Sequence, residues 1–103
     1  MAARIEFSFE WDPAKAAENS AKHGVSFENS SAVFMDPNAL TLFDEDHSQA
    51  EERWITMGLD AKGSLVLVCH TFEAQSPKAV AIRLISVRKA NPQEARQYRR
   101  EKR

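Results

Sequence analysis

A run of cationic side chains near the C-terminus has the residue types and spacing that bind phosphate. Residues 80–89 alternate as an apolar strand, and Arg83 interrupts that alternation. An arginine in such a strand must reach water, a carboxylate or a phosphate, because burying its charge alone is very costly. Arg88 and Lys89 end the strand, and residues 91–94 open a helix that carries Arg96, Tyr98, Arg99, Arg100 and Arg103. These cations beside a phenol predict a phosphate-binding surface.

The net charge of −1 hides an uneven distribution of charge along the chain. Residues 78–103 contain nine Lys or Arg and two Glu, whereas residues 1–77 contain five basic and thirteen acidic residues. An acidic body with a basic C-terminal quarter favours a polyanionic partner. The alternative is that the two parts neutralise each other, within the monomer or across a dimer.

Length and composition predict one soluble domain over residues 1–103. The 103 residues are 43% hydrophobic and 28% charged, which suits one modest core and excludes disorder. The single cysteine, Cys69, excludes a disulfide framework and a cysteine zinc site. No apolar run reaches the roughly 20 residues of a membrane helix, and no signal-peptide pattern is found. We therefore expect a cytoplasmic protein.

The N-terminal third of the chain predicts one strand and two helices. Residues 4–11 alternate as a half-buried strand, and a helix with Asp12 as its cap follows from Pro13 to His23. The C-terminal end of that helix favours a protonated imidazole at His23. A second helix begins at Ser26 and is stopped by the Asp-Pro pair at residues 36–37.

The rest of the chain predicts four more strands before the C-terminal helix. These strands are residues 39–43, 53–59, 64–72 and, after a turn over residues 73–79, the basic strand. Short links between successive strands favour an antiparallel sheet with helices packed on one face. The predicted fold is therefore α+β, with the order β-α-α-β-β-β-β-α.

The same residues predict acid–base chemistry on a phosphodiester. Metal-free RNA cleavage needs a base for the 2′-hydroxyl, cations for the charge on phosphorus and an acid for the 5′-oxygen. His70 lies between the strand that bears Arg83 and the strand that starts at Glu52 and Arg53, and Tyr98 can reach the same face. Simpler alternatives stay open: His70 can be a structural residue, Glu52 and Arg53 can form a surface ion pair, and Tyr98 can anchor its helix.

A metal site is the other chemistry that the sequence allows. His47 with Asp44, Asp46 and Glu51 could bind a divalent cation, although the histidines lack metal-ligand spacing in sequence. A solvated acidic loop is the simpler interpretation, so we expect no metal and no cofactor.

Seven segments, taken together, resemble the BrnT family of bacterial toxins. They are FEWDPAK (9–15), KHGVSFE (22–28), VFMDP (33–37), DHS (46–48), EER (51–53), VCHT (68–71) and RLISVRKA (83–90), followed by Glu94 and Tyr98. They cover nearly the whole chain in the family's order. The resemblance implies a RelE-like fold and a metal-independent endoribonuclease that inhibits translation and growth. It also implies a DNA-binding, BrnA-like antitoxin that neutralises the toxin in a complex bound to operator DNA.

The family pattern points to eight residues, and the roles given to them are hypotheses. Those residues are His23, Glu52, Arg53, His70, Arg83, Arg88, Lys89 and Tyr98. Arg83 and Arg88 hold the scissile phosphate, His70 or Glu52 is the base, and Tyr98 or Lys89 assists the leaving group. The helix arginines, Arg96, Arg99, Arg100 and Arg103, bind an acidic segment of the antitoxin. The alternative function is a regulator that binds nucleic acid without cleaving it.

Overall fold

A five-stranded sheet organises the fold. In the computed structural model, which describes residues 4–101, the strands lie in the order β1-β5-β4-β3-β2. They are β1 (Glu6–Glu10), β2 (Leu40–Phe43), β3 (Trp54–Leu59), β4 (Leu65–Ser76) and β5 (Ala79–Lys89). The helices are α1 (Pro13–His23), α2 (Phe27–Ser30) and α3 (Pro92–Glu101), with 3₁₀ turns at Ser31–Met35 and Glu45–His47. The α+β class and the predicted order of strands and helices are confirmed.

The direction of β1 differs from the prediction. Strands β2 to β5 form an antiparallel meander, but β1 runs parallel to β5, with Phe7 opposite Val80 and Phe9 opposite Ile82. The sheet is therefore mixed, and the expectation of a wholly antiparallel sheet is wrong. Short links enforce antiparallel pairing only between strands that are consecutive in the chain. Two helices and three strands separate β1 from β5, so no hairpin constrains their direction.

Two element boundaries also differ from the prediction. Strand β4 continues to Ser76 and β5 begins at Ala79, so the turn expected over residues 73–79 is only the pair Pro77–Lys78. Residues 73–76 are exposed and lack the apolar alternation that marks a strand. The second helix is a single α-turn at Phe27–Ser30 that tightens into a 3₁₀ turn.

Helices α1 and α2 and the first 3₁₀ turn pack on one face of the sheet, which we call the covered face. The core on that face consists of Val25, Phe27, Val33, Val66, Val68, Ile82, Leu84 and Val87. Because neighbouring residues of a strand point to opposite faces, the other side chains of β3, β4 and β5 form a second face. This open face carries Arg53, Cys69 and Arg83.

A β-bulge in β5 decides which face its arginines occupy. In the β4–β5 ladder, Ile85 is an extra residue without a partner on β4. Strict alternation would place Arg83 and Arg88 on opposite faces, but the bulge brings both to the open face. It also turns Val87 into the core, where this side chain is 1% exposed.

The side chain of Asn19 replaces a missing strand neighbour along β5. Strand β1 pairs with residues 79–83 of β5 and not with the rest of that strand. Beyond that point, Asn19 Nδ2 donates to the Val87 carbonyl at 2.8 Å, and Asn19 Oδ1 accepts from the Val87 N–H at 3.1 Å. These two hydrogen bonds fix α1 against the edge of β5, with His23 one helical turn further along.

We predict that Asn19→Ala lowers the free energy of unfolding by about 3 kcal/mol. The substitution leaves the buried N–H and carbonyl of Val87 without partners, and each unsatisfied group costs about 1–3 kcal/mol. Urea unfolding followed by circular dichroism measures the change. Glu18→Ala, an exposed position on the same helix, is the matched control and should change stability by less than about 0.5 kcal/mol. Equal losses in the two variants would contradict this account.

Candidate functional site on the open face

The open face carries a cavity of about 270 Å³ that we call the cationic pocket. Its charged and titratable rim comprises His23, His47, Arg53, Arg88 and Asp44. The rest of the lining is Ile55, Leu67, Cys69, Ile85, Ser86 and Val87. Two guanidinium groups and two imidazoles line the cavity with one carboxylate, and the carboxylates that pair with these arginines, Glu51 and Glu94, are not part of the lining. This balance of charge favours an anionic ligand.

The two imidazoles reach the cationic pocket from opposite sides of β4. His23 is the last residue of α1, which packs beside β5. Gly24 ends the helix in the left-handed conformation, with φ of 70°, and its N–H bonds the Ser20 carbonyl at 2.8 Å. His47 lies in the 3₁₀ turn between β2 and β3. Helix α1 and the β2–β3 connection therefore bring two proton-transfer groups to one cavity.

Arg88 is held in the cationic pocket by Glu94 of α3. Its Nη1 and Nη2 atoms each donate to a carboxylate oxygen of Glu94 at 2.8 Å. Glu94 also accepts from the Asn91 N–H at 2.9 Å, and Asn91 Oδ1 accepts from the Glu94 N–H at 2.8 Å, which together form a capping box. The hydrogen bonds with Glu94 raise the pKa of Arg88, and those from Arg88 lower the pKa of Glu94. The start of α3 thus fixes the direction of a permanently charged guanidinium.

Glu51 joins the other two arginines of the open face. Its Oε1 atom accepts from Arg83 Nη2 and, at 3.4 Å, from Arg53 Nη2. Arg53 lines the cationic pocket, but Arg83 lies in a neighbouring cavity of about 310 Å³. That second cavity also contains the carboxylates of Glu10, Glu51, Glu52 and Glu73. Four carboxylates around one guanidinium oppose a phosphate there, so Arg83 is better placed to orient Arg53 through Glu51.

His70 lies on the covered face and not in the cationic pocket. Its side chain is 0% exposed, and Nε2 is 2.7 Å from Thr56 Oγ1, which is 2.8 Å from Thr41 Oγ1. The ring packs edge-on against Phe34 and Phe72, with centroid distances of 4.7 Å. Burial lowers the pKa of His70 to about 4. The histidine is therefore a neutral part of the core.

The expected grouping of His70 with Arg83 is wrong. In the ladder between β4 and β5, Arg83 is opposite Thr71, whereas His70 is opposite Leu84. Side chains that are directly opposite share a face, and neighbours along a strand do not. The sheet therefore separates the imidazole from the guanidinium. The arrangement that the sequence suggested, with both groups around one phosphate, does not form.

Tyr98 anchors α3 and does not face the cationic pocket. It is 4% exposed, and its hydroxyl donates to Asp36 Oδ2 at 2.6 Å. The same carboxylate oxygen accepts from the Leu59 N–H at 2.9 Å, at the end of β3. Burial and the bond to Asp36 raise the pKa of Tyr98 to about 12. The simpler of the two interpretations of this residue, a helix anchor, fits these contacts.

The remaining predicted residues divide between the cationic pocket and other surfaces. Lys89 follows Arg88 and points to the other side of the sheet, where it lines a cavity with Asp60. Glu52 is exposed beside Arg83 in the acidic cavity.

Of the eight residues, the structure brings His23, Arg53 and Arg88 together. Arg96, Arg99 and Arg100 are exposed on α3, and Arg103 lies outside the described residues.

Asp44 and His47 were grouped from the sequence only as possible metal ligands, and their pairing at the cationic pocket was not predicted. The Nδ1 atom of His47 is 3.1 and 2.9 Å from the two carboxylate oxygens of Asp44. Residues three apart lie above one another in a 3₁₀ helix, so the separation of Asp44 and His47 predicts this contact only if the turn is known to be 3₁₀. The proposed metal ligands do not converge, because Glu51 turns to the arginines. Within residues 4–101, no three His, Cys, Asp or Glu side chains form a metal-binding group.

The protein is therefore an α+β protein whose mixed sheet holds arginines and histidines in one open-face pocket, a lining suited to an anion. The chain belongs to the BrnT family: residues 11–94 match the family model described as a ribonuclease toxin, BrnT, of type II toxin–antitoxin system. A comparison with curated proteins found no significant match. Across residues 4–101, no helix is long and apolar enough to cross a bilayer.

We predict that acid destabilises the parent protein more than a His70→Gln variant. The unfolded chain binds a proton at His70 near the ordinary value of 6.5, but the folded protein does so only near pH 4. The unfolded state therefore binds more protons in this window, and the stability contributed by neutral His70 is lost as pH falls from 6.5 to 4. The difference amounts to about 3 kcal/mol by pH 4.

Urea unfolding of both proteins between pH 4 and pH 7.5 measures this difference. The other two histidines are present in both proteins, so their titration cancels when the variant is subtracted. A difference curve that stays flat across the range would show that His70 is not held neutral by the core.

Proposed function

We propose that this protein is a metal-independent endoribonuclease that cleaves RNA in the cationic pocket and thereby inhibits translation and growth. The observation that carries the proposal is the convergence of His23, Arg53 and Arg88 at one cavity of the open face. The description of the BrnT family as ribonuclease toxins supports the reaction class. We also propose that the protein acts in the cytoplasm, where this RNA substrate is found. A RelE-like fold stays part of this proposal and is consistent with the antiparallel meander of β2 to β5.

Arg53 and Arg88 supply the positive charge that cleavage requires. When the 2′-oxygen attacks phosphorus, negative charge accumulates on the two non-bridging oxygens, and preorganised donors stabilise it. An arginine has five N–H donors. Glu94 accepts two from Arg88 and the Lys89 carbonyl accepts a third at 3.3 Å, which leaves two for a phosphate. Arg53 gives one Nη2 hydrogen to Glu51 at 3.4 Å, so other hydrogens of its guanidinium group remain for a phosphate.

His23 is placed to act on the leaving group. It lines the same cavity as both arginines, at the end of a helix held rigidly to β5 by Asn19. An imidazole can give a proton to the departing 5′-oxygen, which is the second proton transfer that the reaction needs. The roles first predicted for His70, Glu52, Lys89 and Tyr98 are not used, because these side chains lie outside the cationic pocket. Arg83 acts in this proposal through Glu51 and Arg53.

We predict that Arg53→Ala and Arg88→Ala each lower kcat/KM for cleavage of single-stranded RNA by about 100-fold, because each removes a preorganised charge from the transition state. Cleavage by the parent protein should persist in EDTA and yield 2′,3′-cyclic phosphate ends. Gel analysis of a labelled oligonucleotide measures both. The matched control is Arg96→Ala, which removes an exposed arginine outside the cationic pocket.

Two outcomes would contradict this proposal in different ways. Loss of cleavage in EDTA would contradict metal independence and would leave the ribonuclease activity itself standing. Binding of RNA without any cleavage by the folded parent protein would favour the non-catalytic regulator. Thermal unfolding of each variant confirms that it is folded, which matters for Arg88→Ala because this change also frees Glu94.

We further propose that a cognate DNA-binding antitoxin, BrnA-like in kind, masks the toxin and carries the complex to operator DNA. The exposed arginines of α3 suit an acidic segment of such a partner. Two other residues of the same helix, Glu94 and Gln97, line an apolar cleft of about 210 Å³ with Leu40, Leu42 and Met57. An amphipathic acidic segment would find both apolar and charged contacts on this surface.

We predict that replacing Arg96, Arg99 and Arg100 together by Ala weakens antitoxin binding about 10-fold and lowers its salt dependence. Exposed ion pairs contribute little individually, so three are changed at once. Titration calorimetry at two salt concentrations measures the effect, and RNA cleavage by the free variant should be retained. Lys15→Ala with Lys22→Ala, which removes cations from α1, should leave the affinity unchanged. A similar loss in that control would indicate a general charge effect.

A further inference from the structure

The turn between β2 and β3 holds a carboxylate and an imidazole in a fixed relation. The Asp44 N–H donates to the Arg53 carbonyl at 2.8 Å, and the Asp44 side chain is only 11% exposed. His47 is bound through Nδ1 to both oxygens of that carboxylate, yet its own side chain is 67% exposed. The carboxylate is therefore anchored to the sheet, and the imidazole is presented to solvent.

The contact between Asp44 and His47 decides which nitrogen of the ring is basic. A carboxylate can only accept hydrogen bonds, so Nδ1 carries the proton of the neutral imidazole. The lone pair is then on Nε2, the nitrogen on the far side of the ring from Asp44. A base held in this way combines a fixed tautomer with a free reactive atom.

Other groups around the cationic pocket are less suited to be the base. The arginines are permanently charged, and burial raises the pKa of the Cys69 thiol, which disfavours its anion. His70 is enclosed in the core on the other face. The charged and titratable groups that line the cationic pocket together with His47 are Asp44 in its own turn, Arg53 just before β3, Cys69 of β4, Arg88 of β5 and His23 of α1. Among them, His23 is the only other imidazole, and no carboxylate holds it in the described part of the chain.

We infer that His47 is the general base of RNA cleavage and that Asp44 is its positioning residue, an inference that rests on the proposed ribonuclease activity. Nε2 of His47 takes the proton of the 2′-hydroxyl as the bond between that oxygen and phosphorus forms. The bond from phosphorus to the 5′-oxygen breaks, and that oxygen takes a proton from His23. The products are a 2′,3′-cyclic phosphate and a 5′-hydroxyl. His47 thus gains one proton on one side of β4, and His23 loses another on the other side.

The test compares His47→Gln with the parent protein on two RNA oligonucleotides across pH 5 to 8. One is ordinary RNA, and the other carries sulfur in place of the 5′-oxygen at the cleaved bond, so that its leaving group needs no proton. The loss of a general base should lower kcat/KM on both substrates by the same factor, about 100-fold or more. The fall in rate that the parent shows at low pH on the sulfur substrate should disappear in the variant.

Asp44→Asn tests the positioning role, and Asp46→Asn is its control. The amide can present its N–H to the ring and so favour the wrong tautomer, which should reduce kcat about 10-fold or more with little change in KM. Asp46 is exposed in the same turn, and its substitution should leave both kinetic constants unchanged. Equal effects of the two changes would overturn the role of Asp44.

Each further outcome separates this inference from the proposed function. A parent protein that does not cleave RNA removes both proposals. Cleavage by the parent together with full activity of His47→Gln removes the inference and leaves the ribonuclease proposal standing. A loss in His47→Gln that vanishes on the sulfur substrate would make His47 the acid, which overturns its assignment as the base.

Discussion

Pairing of the arginines and of His47 with carboxylates is the constraint on which the open face depends. Glu94 holds Arg88, Glu51 holds Arg53 together with Arg83, and Asp44 holds His47. The three arginine pairs are partly exposed, and ion pairs in contact with solvent add little to stability. Their effect is on geometry. Glu94 lies on α3, whereas Glu51 and Asp44 lie in the connection between β2 and β3. The pairs therefore fix the basic side chains relative to the sheet. The pocket keeps these basic side chains in place while leaving some donors of the arginines, and Nε2 of His47, free for a ligand.

The bulge at Ile85 makes this arrangement possible at the level of the backbone. An uninterrupted β5 would send Arg88 into the core side of the sheet, where a lone guanidinium could not be accommodated. The extra residue reverses the alternation between Leu84 and Val87, so both apolar side chains stay buried while Arg83 and Arg88 share the open face. Asn19 then satisfies the backbone of Val87 next to the bulge. One irregular position thus supports both the core and the pocket.

Local signals in the sequence were sufficient for most elements and insufficient for the site. The cap at Asp12, the end at Gly24 and the apolar alternation of the strands gave the element order, because each is a property of neighbouring residues. The parallel pairing of β1 is a long-range contact that no local pattern contains. The bulge is also a long-range feature. Ser86 and Val87 continue the apparent alternation of the sequence, and only their pairing with β4 shows the shift in register. Consequently Arg53, Arg88 and His23, which were grouped from the sequence, do line one pocket, but His70 was assigned to the wrong side of the sheet.

The buried position of His70 still connects it to the cationic pocket through the sheet. Its Nε2, the Thr56 hydroxyl and the Thr41 hydroxyl form a hydrogen-bonded row across β4, β3 and β2. Strand β2 has only four residues and lies at the edge, so its own ladder is short. The row adds polar contacts that fix the register of β2 on β3, and β2 leads directly into Asp44. A neutral His70 accordingly supports, from the covered face, the turn that carries the carboxylate and imidazole of the open face.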